Sequence, residues 1–262
     1  MFNACAKSGA DSKLSRNDLM EALKGPVSGD PQLVFLDKND EQEMLHVFAE
    51  SFLEDPLMKW IAGLDDAGLV DEEKKKELHY KLNRTVLGGV NRPILVSKKG
   101  IVLGAKTIDG KTLVGTMSLM PGQYNNDSFS DCFLNMIFLD TPPLYTKEKK
   151  NYGPMGDKRL DSISQFLNRR PDLMKNTYSN YVYIQMIGVL SSHQGKGLGG
   201  KLLRAILNAA DSVNVSLYLE TESKENESLY QHFGFYTAEV LELTADGTPT
   251  KQPMYLMIRR PN

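Results

Sequence analysis

Residues 181–207 run YVYIQMIGVLSSHQGKGLGGKLLRAIL, an apolar stretch that passes through a glycine-rich turn directly into a helix. The first nine residues are β-branched and aromatic, which reads as a strand buried on at least one face. Gly188 interrupts them, and an isolated glycine in a strand marks a bulge or a close approach of another group to the backbone. In the turn, Gln194, Gly195, Lys196, Gly197, Leu198, Gly199 and Gly200 leave successive backbone N–H groups uncovered at a helix start. Those N–H groups, the positive end of the helix dipole and Lys196 together favour a phosphate. Leu198, Leu202, Leu203, Ile206 and Leu207 form one apolar stripe that seats the helix, with Lys201, Arg204 and Asn208 off it.

Two general phosphate-binding patterns overlap in this turn. Gly195 to Lys201 fits GxxxxGK, but the next residue is Leu202, where a P-loop needs a Ser or Thr hydroxyl for magnesium. Gly195, Gly197 and Gly200 fit the dinucleotide fingerprint GxGxxG, with Glu220 about 20 residues on. Against a dinucleotide domain stands position: roughly 60 residues come after the turn, too few for the further strand and helix units of that fold. An NAD(P)-dependent oxidoreductase stays open as the alternative on this fingerprint.

A third pattern is Gln194-x-x-Gly197-x-Gly199, and the residues C-terminal to it extend the match. A strand at Val215-Ser216-Leu217-Tyr218-Leu219-Glu220-Thr221 leads to a short helix, and Tyr230 with Gly234-Phe235 completes Y-x-x-x-G-F. In this order the segment resembles the GCN5-related N-acetyltransferase (GNAT) family, whose Q/R-x-x-G-x-G/A loop holds the pyrophosphate of acetyl-coenzyme A. His193 to Gly199, Leu219-Glu220-Thr221, and Asn226 four residues before Tyr230 look like the puromycin N-acetyltransferase branch. In the wider family the Asn lies seven residues before the Tyr, a position held here by Ser223. The resemblance implies an α/β (α+β) fold: a mixed, mostly antiparallel twisted sheet of about seven strands, splayed between strands four and five, with flanking helices.

Composition narrows the partners. Lys and Arg total 31 against 33 Asp and Glu, a formal charge of −2 that gives no general pull toward nucleic acid or a membrane surface. The two cysteines, Cys5 and Cys132, form no pairing or zinc pattern, so no metal is expected. With no apolar run near the length of a membrane helix and no h-region after Met1, the default expectation is a cytoplasmic protein, with the nucleus also open.

Residues 1–30 are polar and small and read as a partly mobile N-terminal extension, with one helical stretch over 15–24 closed by Gly25-Pro26. A single acetyltransferase domain is expected over 31–262, beginning with a short strand at 33–37 and a helix capped by Asp40 and Glu43. That helix stops at Glu54-Asp55-Pro56, because the residue before a proline is pushed out of the helical region. Ala49-x-x-Phe52-x-x-Asp55-Pro56-x-x-x-Trp60 again resembles the puromycin-type branch, in which this segment helps wall the acceptor site. A second helix is expected over 71–90, then three β runs at 94–97, 101–107 and 112–120 with tight turns. Residues 121–179 read as an insertion over the acceptor site, with helical patches at 129–139 and 155–169. Two runs at 235–244 and 252–258 close the chain as a hairpin. The hairpin and the insertion are surfaces on which two copies could pair.

What the resemblance implies chemically is an acetyl transfer from acetyl-coenzyme A to a primary amine of a small molecule, by direct attack in a ternary complex. Ile187, Gly188 and Val189 would offer backbone groups to the pantetheine arm, the Val189 N–H polarising the acetyl carbonyl. Gln194, Gly195, Lys196, Gly197, Leu198 and Gly199 would hold the pyrophosphate, and Asn226 would be a further coenzyme contact. Tyr230 is the candidate acid for the departing thiolate, since a phenol near pKa 10 roughly matches a thiol. Glu220 is the candidate base, its proton affinity raised by burial at the end of an apolar strand, with Glu222 as a spare. A non-catalytic module that binds acyl-coenzyme A on the same fold is the remaining alternative.

Overall fold

The computed structural model describes residues 13–64, 68, 70–96, 99–124, 156–175, 180–245, 247 and 250–262. The helical patch expected at 129–139 and both cysteines lie outside these residues. The strands are β1 (Leu33–Phe35), β2 (Ile101–Lys106), β3 (Leu113–Pro121), β4 (Tyr181–Val189), β5 (Ser216–Thr221), β6 (Tyr236–Leu243) and β7 (Gln252–Arg259). They form one seven-stranded sheet in the order β1-β2-β3-β4-β5-β7-β6. Every neighbouring pair is antiparallel except β4 with β5. A doubly wound dinucleotide domain needs a run of parallel strands around its switch point, so this topology disfavours the GxGxxG reading.

The described helices are α1 (Arg16–Ser28), α2 (Glu41–Ser51), α3 (Pro56–Ala62), α4 (Glu72–Val96), α5 (Gly156–Ser162), α6 (Ser164–Lys175), α7 (Leu198–Ser212) and α8 (Lys224–His232). Within the stretch expected as an extension, α1 starts at a capping box in which Ser15 and Asp18 exchange hydrogen bonds. It runs on through Pro26 to Ser28 and buries Leu19, Leu23 and Val27. Lys201 of α7 reaches Asp30 just beyond α1, at 2.8 Å. Helix α7 buries the predicted stripe together with Ala205, Ala209 and Ala210. The capping box expected at Asp40 and Glu43 forms one turn earlier: Asp37 and Asp40 cap a short 3-10 turn, and Asp40 makes no side-chain bond to α2.

The β run expected at 94–97 is instead the end of α4. Ile94-Leu95-Val96 is β-branched at two of its three positions, yet the helical register sets Leu87, Asn91 and Ile94 on one buried face. Asn91 then binds the Leu87 carbonyl at 2.7 Å and accepts from Ser118 of β3 at 2.5 Å. Tertiary packing overrides local propensity here. The sheet therefore opens with β1, which pairs antiparallel with β2.

Strands β4 and β5 are paired only at Tyr181↔Ser216, Val182↔Leu217 and Tyr183↔Tyr218. The splay thus begins after Tyr183, well ahead of Gly188. The bulge is at Gln185, because Ser118 faces Met186 and Leu119 faces Ile184. Gly188 stays in register opposite Thr116 and serves the other purpose a strand glycine can have. A Cβ there would overlap the Ser51 hydroxyl and lie 3.4 Å from the Phe48 ring, so α2 packs directly on the backbone of β4 at this residue. Gly188→Ala is expected to cost about 1–3 kcal/mol of stability by chemical denaturation, and Ser51→Gly in the same chain to restore most of it. An unchanged denaturation midpoint in Gly188→Ala would contradict this contact.

Candidate active site

The backbone of β4 past Tyr183 sets the site. Leu190 donates its N–H to Val114 of β3 at 2.9 Å. In an antiparallel pair the bonds alternate from residue to residue, so Gly188 also turns its backbone groups to β3. Ile187 and Val189 then turn theirs to the other edge, where β5 has diverged. Gln194 folds back so that its carboxamide donates to the Val189 carbonyl at 3.1 Å. Of the three backbone contacts expected, Ile187 and Val189 face the gap, while Gly188 supplies room for α2.

The gap leads to the glycine turn. Gly195 and Gly197 adopt φ of 74° and 78°, the left-handed region that glycine enters freely, and a Cβ on either would meet nothing within 4 Å. Gly197 is the N-cap of α7 and provides no side-chain cap. The first N–H groups of this helix are therefore left to an outside acceptor. This arrangement suits an anion such as a pyrophosphate at the turn amides, with an open strand edge leading away from it. Among the nearby cations, Lys201 is engaged with Asp30 and Gln32, and Lys196 donates to the Ser192 carbonyl at 3.0 Å. Arg204 lies along the turn, its guanidinium 3.2 Å from where a Cβ on Gly200 would be, and faces the cavity.

One cavity of about 930 Å³ joins the gap, the turn and the candidate catalytic groups. Its lining includes Ile187, Gly188, Val189, Gln194, Gly195, Gly197, Leu198 and Gly199 from the coenzyme side, and Glu220, Asn226 and Tyr230 from the other. Lys196 does not line it. Phe52, Leu57, Val86, Phe166 and Leu167 give it an apolar wall, so the end of the 121–179 segment does reach this cavity. Trp60 stands outside the lining, its indole N–H donating to Thr250 at 2.9 Å and its carbonyl accepting from Arg159 at 2.7 Å.

The acidic groups in the cavity have different surroundings. Asp55 caps α3, accepting from the Met58 N–H at 2.7 Å, and faces Glu222. Burial first, and then the Glu222 charge, raise its proton affinity well above the ordinary carboxylate range. Glu222 is held in turn by the Asn226 side-chain amide at 2.8 Å. Asn226 therefore orients a carboxylate, while Ser223 caps α8 by accepting from the Asn226 N–H. Glu220 is buried too, and burial raises its proton affinity against the opposing pull of Arg170 and the Tyr183 and Tyr218 hydroxyls. Tyr230 packs edge-on against Phe235, with ring centres 5.8 Å apart. Burial, Glu222 and Asp55 raise its pKa, so the hydroxyl keeps its proton at neutral pH.

Reasoning from the residues missed the Asp55–Glu222 pair and Arg170. The Asp-Pro pair read as the stop of the preceding helix within a segment expected to wall the acceptor site, and no local pattern links position 55 to 222 or 170 to 220.

Residues 170–237 match the acetyltransferase (GNAT) domain family. An uncharacterised N-acetyltransferase of Schizosaccharomyces pombe is 34% identical over 110 residues, covering 40% of this chain and 44% of that protein. The chain thus spans less than half the length of that curated relative. Among solved structures, a histone acetyltransferase HPA2 and related acetyltransferase from Corynebacterium glutamicum superposes with a TM-score of 0.51 at 17% identity. That match covers 89% of this chain and 97% of the other. Arylalkylamine N-acetyltransferase 2 from Aedes aegypti gives 0.52 at 13% identity, covering 88% and 98%. Strand β4, the glycine turn at the α7 N-terminus and β5 all lie within the residues that match the GNAT acetyltransferase domain, and these solved acetyltransferases share the fold.

Proposed function

We propose that the protein transfers an acetyl group from acetyl-coenzyme A to the primary amine of a small acceptor with an apolar body. The observation that carries this reading is that one cavity contains the open β4 edge, the uncapped N-terminus of α7, and a carboxyl pair beside a protonated tyrosine. Bound acetyl-coenzyme A would supply the acetyl thioester. Gly195, Gly197 and Gly199 would hold its pyrophosphate through their N–H groups, aided by Arg204, and Val189 would direct its N–H at the acetyl oxygen.

The acceptor end joins an apolar wall to a carboxyl pair, which suits an ammonium carried on a hydrocarbon or aromatic body. An ammonium must lose a proton before its nitrogen can attack. Asp55 takes that proton, since burial and the neighbouring Glu222 charge bring its proton affinity closer to that of an amine. As the amine nitrogen bonds to the carbonyl carbon and the carbon–sulfur bond breaks, Tyr230 gives its phenolic proton to the sulfur, and the second proton shed by the acylated nitrogen restores the phenol. We prefer Asp55 with Glu222 over Glu220 as the base because the Glu220 side chain is only 4% exposed and lies 3.7 Å from Arg170. A binding module without catalysis would share the coenzyme site and lack thiol release.

Thermal melting with acetyl-coenzyme A, coenzyme A and NAD(P)H at about 1 mM each tests the coenzyme first, because a ligand at about 100 times its dissociation constant adds roughly 2.7 kcal/mol. A rise with acetyl-coenzyme A and none with NAD(P)H is expected. Gly197→Glu should abolish that rise, since it sets a side chain and a negative charge on the turn; a retained rise would overturn the pyrophosphate assignment. Tyr230→Phe should lower kcat by about 10²–10⁴ with coenzyme affinity unchanged, as followed by thiol release. Asp55→Asn should lower kcat similarly while still capping α3. A carboxyl whose folded pKa is raised costs stability as pH climbs from its unfolded value toward the folded one. Asp55→Asn should therefore melt no lower than the parent at neutral pH, and the acidic limb of kcat/KM should move to lower pH in Glu222→Gln.

A further inference from the structure

Strands β4 and β5 part immediately after Tyr183↔Tyr218, and a buried charge pair occupies one face of that fork. Glu220 lies two residues beyond Tyr218 and so shares its face of β5. Arg170 of α6 lies 3.7 Å from the Glu220 carboxylate, with the two side chains 7% and 4% exposed. Its guanidinium stacks over the Tyr183 ring at 4.3 Å, and that ring lies 5.8 Å from the Tyr218 ring. The bulge at Gln185 comes two residues past Tyr183, so β4 changes course where this cluster is wedged. A buried ion pair adds little stability over an apolar pair of the same size, because desolvation offsets its attraction. What it does provide is a directional attachment, and a planar guanidinium held by both a ring and a carboxylate has little freedom.

Helix α6 carries the consequence into the cavity. Ile163, just before it, and Phe166, Leu167 and Arg170 fall at i, i+3, i+4 and i+7, one face of a helix. The first three line the cavity, so the residue that anchors this face at the fork also fixes the apolar wall opposite the coenzyme gap. We infer that Arg170 and Glu220 form a positioning pair that pins the α6 wall to the fork of the sheet, setting acceptor affinity without taking part in proton transfer. The kinetic part of this inference rests on the acetyl-transfer reading; the coupling between the two residues does not.

A double-mutant cycle on the full chain tests it. Arg170→Gln, Glu220→Gln and the double variant are compared for acceptor KM, kcat, coenzyme A affinity and melting temperature. Arg170→Lys keeps the charge and loses the planar stack, and Arg169→Ala removes the half-exposed contact from the same helix to Glu239. Each Gln variant is expected to raise acceptor KM by about tenfold with kcat and coenzyme A affinity within about twofold. The double variant should be no worse than either single, because both remove one interaction. Arg170→Lys should rise by a few-fold and Arg169→Ala should not rise.

Multiplying KM effects in the double variant would overturn the pairing. So would an equal rise in Arg169→Ala, since any loosening of α6 would then suffice. A collapse of kcat in Glu220→Gln with loss of the acidic limb would make Glu220 the base instead. Should a Gln variant fail to fold, Arg170→Lys against Arg169→Ala decides by the same KM comparison. If the parent protein binds no acetyl-coenzyme A, the acetyl-transfer reading fails alone, and the cycle in melting temperature still shows whether the two residues are coupled.

Discussion

A main-chain N–H or C=O that leaves water has to find a partner, and past Tyr183 the β4 edge is no longer paired by β5. Past Tyr183 the edge of β4 faces a strand that has turned away, and Ile187 and Val189 point their backbone groups into the opening. The same opening runs to a helix start whose N-cap residue is a glycine with no side chain to lend. Both ends of the opening therefore ask for a ligand that can act as a strand at one end and an anion at the other. On our reading acetyl-coenzyme A meets that division with its pantetheine and its pyrophosphate, through the backbone more than through side chains. The side chains near the turn mostly support it: Gln194 closes on Val189, and Lys201 ties α7 to the segment after α1.

The polar groups of the cavity divide by what surrounds them. Asp55 and Glu222 face each other, and each is held by an uncharged donor, the Met58 N–H for one and the Asn226 amide for the other. Repulsion between them favours a proton on the pair. Glu220 faces a guanidinium, which favours the charged carboxylate and holds it in place. Carboxyl side chains only two residues apart on one segment thus have opposite neighbours, and on our reading opposite duties.

Much of the coenzyme half was legible from residues alone because its signals are local. The stripe from Leu198 to Leu207, the glycines of the turn and the strand ending in Thr221 each depend on near neighbours in sequence, and all fall where expected. Gly188 was legible only as one of two options, and the choice depended on Ser51, far away in the chain. The end of α4 was misread because Ile94 to Val96 carry strand-forming side chains, and it is contact with β3 through Asn91 that keeps them helical. The same limit applies to the charges. Asp55 and Glu222, like Arg170 and Glu220, meet only after the sheet forms, and no spacing along the chain records a meeting of that kind.

The order of strands at the far side of the sheet has a consequence for how such a chain acquires its site. Strand β5 holds β4 by three residue pairs, and its other edge is made by β7, with β6 outside. During synthesis β6 emerges before the strand that must lie between it and β5. Until residues 252–259 are available, β5 has no neighbour along the part that leads to Glu220 and Glu222. The nascent chain can therefore complete the apolar wall and the glycine turn and still lack a firm support for Glu220 and Glu222, so the cavity is complete only once β7 has joined β5.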